Sequence, residues 1–209
     1  MYDTHHVLSV RAVGASMSDD NVIPLFGPQT EHADGVFLYE LERQIRRVMK
    51  HSEDLQKLFD NRSSSNDSFV ENVIESIDDI VDHASRASQI IYPTQDRNGS
   101  FKRAERLRQK LGLPDNAEGS LEFRKLRHHL QHYDERLDQW AKATINGNIA
   151  HSIISGRDPI CGPMSIMRHF IPDEGVYIFA GEEFNILSAI VFCRNLLERL
   201  QSSRSARST

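Results

Sequence analysis

The sequence predicts a mainly α fold: an up-and-down bundle of four or five helices with a small antiparallel β insertion before the last helix. Three observations predict it. Apolar residues recur at helical spacing over most of residues 34–140. Residues 146–180 instead contain short β-prone runs separated by turn residues. The segment that follows, FNILSAIVFCRNLLERL, is apolar around most of a helical circumference, which is typical of a central core helix.

Length and composition favour one ordinary domain. The chain has 209 residues, of which 39% are hydrophobic and 26% are charged, and these proportions are typical of globular proteins. No apolar run approaches the roughly 18 residues needed to span a bilayer, so we expect no membrane partner. The formal net charge of -5 argues against a protein that coats nucleic acid through its overall field, although a local basic strip can still hold phosphates.

The cysteines and the first residues favour a cytoplasmic location. Cys161 and Cys193 are the two cysteines of the sequence, and they lack the CxxC spacing of a zinc site and the number needed for a disulfide framework. Residues 1–10, MYDTHHVLSV, contain neither a basic leader nor a long apolar stretch, so we expect no secretory signal. A reducing compartment fits these features best.

The first two helices follow a predicted irregular arm over residues 1–33. Asp34 is the expected N-cap of a long first helix, whose apolar positions continue to Phe59. After a polar connector, Ser68 and Glu71 form a capping box for a second helix. The second helix has a strongly periodic apolar stripe, which consists of Val70, Val73, Ile74, Ile77, Ile80, Val81, Ala84, Ala87 and Ile91.

Three more helices are expected further along the chain. The third covers Ser100–Leu111, because a glycine follows its last apolar residue and stops the helix. Ser120 then caps a fourth helix, which we expect to continue without a break to Trp140. The last helix begins at about Glu182. Residues 202–209 are polar and small, and we expect them to form a disordered tail.

The predicted β insertion lies inside the 34–201 bundle, between the last two helices. Its expected strands are Ile149–Ile154, Met164–Ile171 and Val176–Ala180, with the turn sequence PDEG between the last two. Glycine and proline interrupt it repeatedly, at Gly156, Pro159, Gly162 and Pro163. We therefore expect the insertion to serve recognition, while the helices supply the stability.

The fourth helix has one apolar side and one unusual polar side. The apolar side is expected to pack into the bundle and gathers Phe123, Leu126, Leu130, Tyr133, Leu137 and Trp140. His128 and His132 face the other way, near Arg124, Glu135 and Gln139. Histidine gives a solvated face no helix-propensity advantage, but it can take and return a proton near neutral pH. Arginine can hold a phosphate, so this face suggests phosphodiester chemistry.

The stretch RHHLQH, which begins at Arg127, resembles the Rx4-6H motif of HEPN domains (higher eukaryote and prokaryote nucleotide-binding). These domains are small helical bundles with the motif on a late helix. Many members are metal-independent endoribonucleases, some of them toxins or defence effectors with a neutralising partner protein, and others only bind. The resemblance implies that Arg127 contacts phosphate, His132 is the catalytic histidine and His128 is an auxiliary polar residue. It implies RNA as the partner and no cofactor or metal.

The resemblance also implies a homodimer, since the motifs of two HEPN protomers meet in a cleft. Arg127 and His132 are five residues apart, about 140° around a helix, so one copy aims them in different directions. A twofold axis near this helix would let the arginine of one copy face the histidine of the other. Substrate binding is assigned to Arg124 and to a basic strip that includes Lys102, Arg103 and Arg106.

Two alternatives stay open. His128 and His132 have the i, i+4 spacing by which a helix offers two imidazoles to a metal ion, with Glu135, His151 or His169 as possible third ligands. The glutamate that directly follows the first histidine of metalloprotease helices is absent. The other alternative is a non-catalytic helical module that binds a partner protein or a nucleotide.

Overall fold

The computed structural model describes residues 31–61, 67–116, 121–143, 149–157 and 165–205. Within these ranges the fold is mainly helical, with a small sheet before the last helix, as the sequence predicts. The elements in chain order are α1 (Glu31–Asp60), α2 (Asp67–Ile91), α3 (Ser100–Leu111), α4 (Leu121–Gln131), α5 (Tyr133–Ala143), β1 (Ile149–Ile154), β2 (Ser165–Ile171), β3 (Val176–Phe179), β4 (Glu182–Asn185) and α6 (Ile186–Ser205).

Helix α1 starts earlier than predicted, and Asp34 is not its N-cap. The helix begins at Glu31, so the predicted arm loses residues 31–33, and residues 1–30 lie outside the described ranges. The Asp34 carboxylate is buried and accepts bonds from Arg106 at 2.8 Å and Lys110 at 2.6 Å. Burial would raise the pKa of Asp34, but these two bonds outweigh it and lower the pKa. A tertiary ion pair therefore replaces the expected cap.

Helix α2 occupies the centre of the helical layer. It packs against α1, α3, α4 and α6. The predicted stripe is confirmed, since all its members except the half-buried Val70 are buried in the hydrophobic core. Each buried aliphatic side chain contributes roughly 1.5–3 kcal/mol relative to exposure, so this one stripe is a large part of what holds the fold together.

Helix α3 has the bounds that the sequence predicts. At its end Gly112 has φ +61°, a left-handed conformation that costs glycine little, and its N–H bonds the carbonyls of Arg108 and Gln109. At its start the Asp96 carboxylate accepts a bond from the Phe101 N–H at 3.1 Å. Local capping chemistry is enough to define this helix, which explains why the pattern located it.

The predicted continuous fourth helix is two helices, α4 and α5, which are separated at His132. Two helical backbone bonds still cross the junction, from the His132 N–H to the His128 carbonyl and from the Arg136 N–H to the His132 carbonyl. Phe123 and Leu126 are buried, and Leu130, Tyr133, Leu137 and Trp140 are half-buried and pack against the same hydrophobic core. The predicted apolar side is therefore confirmed on both sides of the junction.

The sheet has the order β1-β2-β3-β4 and is mixed, which corrects the antiparallel prediction. Strands β2, β3 and β4 are antiparallel neighbours, but β1 pairs with β2 in parallel. The prediction also placed helix where β4 lies. Ala180 and Gly181 have φ of +50° and +85°, and this tight turn sends the chain back along β3 before α6 begins at Ile186.

The sheet contributes to the hydrophobic core, so the helices do not form that core alone as the sequence predicted, while the recognition role of the insertion stays a prediction. Its buried residues join the same hydrophobic cluster as α1, α2 and α6, and they are Met167, Phe170, Tyr177, Phe179 and Phe184. Contacts link β1 to α2, β3 to α6 and β4 to α4. Of the interrupting residues, Gly156 is described, whereas Pro159, Gly162 and Pro163 lie outside the described ranges.

Helix α6 extends through Ser205, so the predicted disorder is wrong for residues 202–205, and 206–209 lie outside the described part of the chain. The Ser202 and Ser203 hydroxyls donate to the carbonyls of Glu198 and Leu200. Each hydroxyl bonds a carbonyl of the preceding turn, so these serines lie within the helix although the polar composition of residues 202–209 predicted disorder.

Two predictions from the chain as a whole concern cysteine and membranes. Cys193 is a free, buried thiol of α6, and burial raises its pKa to about 12, so it is unreactive as a nucleophile. Cys161 lies outside the described ranges. Among the helices of the described part, none combines the length and apolar character needed to cross a bilayer.

Candidate functional site

The junction of α4 and α5 presents two histidines side by side. His128 and His132 are both exposed, as predicted, and their ring centroids lie 4.5 Å apart. The spacing of four residues puts their side chains on one face, one turn apart. The Nδ1 atom of His132 lies 3.3 Å from a carboxylate oxygen of Glu135, which is in the first turn of α5.

This arrangement suits proton transfer. If Nδ1 of His132 donates to the Glu135 carboxylate, Nε2 keeps its lone pair and can accept a proton from a substrate hydroxyl. The second imidazole is close enough to act on the same substrate and to supply the opposite proton step. Both side chains are exposed, that of His132 by 46%, so a ligand in solution has access to them.

Arg127 points away from this pair. Its Nε–H donates to the Asp82 carboxylate of α2 at 3.0 Å, and the side chain is half-buried. Asp82 also pairs with Arg86 at 2.7 Å. Of the five guanidinium N–H donors, the Asp82 bond uses the one on Nε. The structure thus brings His128 and His132 together, while Arg127 is held against α2, in line with the predicted difference in direction.

The prediction that Arg124 shares the outward line of His128 is wrong. Its guanidinium is half-buried and donates to the Ser88 hydroxyl at 2.6 Å, to the Ser88 carbonyl at 2.8 Å and to the Tyr92 carbonyl. The Ser88 carbonyl also accepts from the Tyr92 N–H at 2.7 Å, so Arg124 is a second donor to it and in addition binds the carbonyl of Tyr92, just beyond the end of α2. Burial lowers the pKa of Arg124. A phosphate would have to compete with these bonds.

The predicted basic strip on α3 is largely an interface with α1. Arg106 binds Asp34, and Arg103 is half-buried with its guanidinium 4.1 Å from the centre of the Phe37 ring. Lys102 is exposed. The three basic residues of α3 that were predicted to bind substrate therefore differ in their exposure to a ligand. Lys102 can contact a ligand directly, whereas Arg103 and Arg106 already contact α1.

His129 lies between the two exposed histidines in sequence but is buried, with 3% of its surface exposed. Arg136 Nη2 lies 3.2 Å from its Nε2, and because arginine can only donate, Nε2 accepts and Nδ1 carries the proton. The edge of the Phe184 ring packs against it, at a centroid distance of 5.7 Å. Burial, and then the charge of Arg136, lower the pKa of His129, so the ring is neutral at pH 7.

The third ligands proposed for a metal at His128 and His132 have other partners. His151 Nε2 bonds the Tyr133 hydroxyl at 2.8 Å, and the buried His169 bonds the Ser155 hydroxyl at 2.9 Å. In the described part of the chain, neither histidine joins His128 and His132 in a group with metal-ligand spacing. Glu135 is close to His132, but among the described residues His128, His132 and Glu135 do not bring three ligand atoms within 4.8 Å of one another.

Sequence reasoning missed the acidic residues of α2. Asp78 and Asp82 are one turn apart on the border of the apolar stripe, and such a position is a signal for a carboxylate that meets a cation from another element. Which cation it meets is decided by the tertiary structure: Arg127 for Asp82, and Arg168 of β2 for Asp78, at 3.4 Å. Burial raises the pKa of Asp78 to about 6 despite that arginine.

Comparison with models of known families, with curated proteins and with solved structures found no match to the chain.

Proposed function

We propose that this protein is a HEPN-like endoribonuclease that cleaves RNA without a metal ion. One observation carries the proposal: two exposed imidazoles lie with ring centroids 4.5 Å apart at the α4–α5 junction, and a carboxylate contacts one of them. Two imidazoles that lie side by side and are open to solvent can supply the proton acceptor and the proton donor of general acid-base cleavage of RNA. The RHHLQH resemblance supports the same assignment.

The proposed reaction is an internal transfer at phosphorus. His132 takes the proton of the ribose 2′-OH, helped by Glu135, which holds the proton on Nδ1. The 2′ oxygen attacks phosphorus and the bond to the 5′ oxygen breaks. Protonated His128 gives a proton to that leaving oxygen, and the products are a 2′,3′-cyclic phosphate and a 5′-OH. Arg127 of a second copy of the chain stabilises the charge that grows on the phosphate.

The proposal includes a second copy of the chain. Arg127 is held by Asp82 and aims away from the histidine pair of its own helix, so a complete site needs a cation from elsewhere. In a twofold dimer through the α4–α5 face, each copy can supply that cation to the other. The exposed Lys102 would contact RNA outside the reacting phosphate.

Other parts of the expected assignment also remain proposals. We propose an up-and-down order for the helices, since the linker between α1 and α2 is short and the two helices pack side by side. We propose the cytoplasm as the compartment and a toxin or defence role, with a protein that neutralises it by covering the exposed histidines.

The experiment is RNA cleavage in EDTA by the purified full chain, followed by chemical analysis of the cleaved ends. His132→Ala and Arg127→Ala should each lower the rate roughly 10²-fold, the usual range for loss of an acid-base group. The matched control is His151→Ala, an exposed histidine outside the pair, which should retain most activity. Circular dichroism checks that each variant stays helical. Equal cleavage by wild type and His132→Ala would contradict the proposal, as would cleavage that EDTA abolishes while circular dichroism shows an unchanged helical fold, and that zinc restores.

A non-catalytic module is the second candidate, and the partners of the cations favour it. Arg124 binds carbonyls of the α2 end and Arg106 binds Asp34, so little of the predicted basic surface is uncommitted for a long RNA. This candidate predicts that the chain cleaves no RNA. It also predicts saturable binding of a nucleotide, which the charge-reversal variant Lys102→Glu weakens.

A further inference from the structure

A second group of histidines lies where α1 packs against α2, and the proposed cleavage site does not use it. His51 comes from α1, and Asp79 and His83 lie one turn apart on α2. One ligand atom from each lies within 4.8 Å of the others. The Nδ1 atom of His51 is 3.5 Å from an Asp79 oxygen, and the two imidazoles stack with centroids 5.8 Å apart.

A chain of hydrogen bonds prepares His83 as a ligand. The Gln44 side-chain amide donates to the Glu40 carboxylate at 2.5 Å, because a carboxylate can only accept. The Gln44 carbonyl oxygen therefore faces His83, whose Nδ1 lies 2.7 Å away and must donate to it. The lone pair is then on Nε2. Metal-binding histidines are commonly oriented in this way by a bond from the ring nitrogen that does not bind the metal.

The distances suit a small divalent ion with modest adjustment. Zinc bonds to nitrogen and oxygen are about 2.0–2.2 Å, so two ligands of a tetrahedral ion are roughly 3.3 Å apart. The 3.5 Å between His51 and Asp79 is close to this value. No separation between the ligand atoms exceeds 4.8 Å, so each must shorten by at most about 1.5 Å to reach this spacing. The Asp79 side chain is 53% exposed and can rotate toward the histidines.

Burial gives the group an inner and an outer side. His83 is buried with Gln44 behind it, whereas Asp79 is exposed and His51 is intermediate. An ion can therefore enter from solvent and keep at least one water, as in zinc sites with three protein ligands. The charged and titratable groups that act on His83 are Asp82, Arg47, Arg86 and His51. The ligand atoms determine which metal ion binds best. Two imidazoles with one carboxylate favour zinc and similar ions over Mg²⁺ or Ca²⁺.

We propose that His51, Asp79 and His83 form a binding site for a divalent transition-metal ion, with Zn²⁺ as the best fit. The ion would tie α1 to α2 and stabilise their packing, because a metal that binds the folded chain and not the unfolded chain adds its binding free energy to stability. The site is distinct from His128 and His132, so the proposed metal-independent cleavage stands or falls separately.

The test is equilibrium dialysis of the full chain, without a histidine tag, against Zn²⁺. His51→Gln and Asp79→Asn change partly exposed side chains and should each lose one bound ion per chain, or bind it at least about tenfold more weakly. The matched controls are Glu75→Gln, one turn before Asp79 on the same helix, and His128→Gln, an exposed histidine at the other pair. Both controls should bind as wild type does.

Two further readouts separate this site from zinc bound elsewhere, for example at His5 and His6. With Co²⁺ in place of Zn²⁺, wild type should show visible absorption bands that His51→Gln lacks. Zn²⁺ at about a hundredfold excess over Kd should raise the Tm of wild type by about 5 °C and leave Asp79→Asn unchanged. Equal stoichiometry and affinity in wild type, His51→Gln and Asp79→Asn would overturn the site. Loss of the ion in His128→Gln instead would assign it to the other pair.

Discussion

At the scale of single residues, neighbours in the sequence have opposite environments. His128 is exposed and faces His132, whereas His129 is buried between Arg136 and the edge of Phe184. A helix rotates about 100° per residue, so adjacent side chains cannot share a face. The same residue type is therefore a candidate acid-base group at one position and a packing group at the next.

Burial of His129 predicts a stability that depends on pH. Its pKa is lowered in the folded chain, so below the ordinary value of 6.5 the unfolded chain binds more protons than the folded one. The contribution of the neutral ring to the free energy of unfolding is present above pH 6.5 and is lost as the pH falls. His129→Gln, which can still accept from Arg136, should lose less free energy of unfolding between pH 7 and pH 5 than wild type does.

Urea unfolding at several pH values measures this difference. His83 is also buried with a lowered pKa, so the His129→Gln variant should keep part of the acid sensitivity. His128→Gln is the matched control, since it removes an exposed imidazole one position away and should change the pH profile less. Parallel profiles for wild type and His129→Gln would show that the buried ring is not the group responsible.

At the scale of elements, strands and helices share one hydrophobic core, so we expect them to unfold together. Phe184 of β4 is buried against His129 of α4, and Tyr177 and Phe179 of β3 enter the same hydrophobic cluster as α2 and α6. The strands therefore supply core volume as well as surface. Removal of residues 156–180 should abolish cooperative unfolding, contrary to the expectation from composition.

A pair of substitutions in the outer strands tests this integration. Phe184→Ala removes a ring that is 2% exposed and should lower the free energy of unfolding by about 3–5 kcal/mol, the usual cost of such a cavity. Ile149→Ala in β1 truncates a side chain that is 59% exposed and should change it by no more than about 0.5 kcal/mol. Denaturant unfolding compares the two. Equally small effects would mean that the sheet is only an appendage of the helices.

At the scale of the whole molecule, the proposed site requires two copies of the chain. We expect a dimer at micromolar concentration, or one induced by RNA, through the exposed α4–α5 face. Near a twofold axis each residue lies close to its own copy, so Gln131→Glu places like charges together and should weaken association. Gln109→Glu on α3 is the matched control. Sedimentation velocity gives the masses, and a strict monomer with and without RNA would remove the two-copy site.

The sequence by itself determined the features that depend on neighbours along the chain. The apolar period located α2 and the glycine after Leu111 located the end of α3, because periodicity and capping act within a few residues. The i, i+4 spacing likewise placed His128 beside His132 on an exposed face. The mainly helical class followed from the same local signals.

Only the tertiary structure decided the features for which distant segments compete. The break at His132, the return of β4 along β3 and the parallel pairing of β1 depend on what packs against each segment. Arg124 has the same sequence neighbours whether it binds a phosphate or the end of α2, and the proximity of α2 selects the second. His51 meets His83 only because α1 packs on α2. The ion-pair and hydrogen-bond partners of a side chain depend on which distant segments pack beside it, and a local sequence pattern does not contain that information.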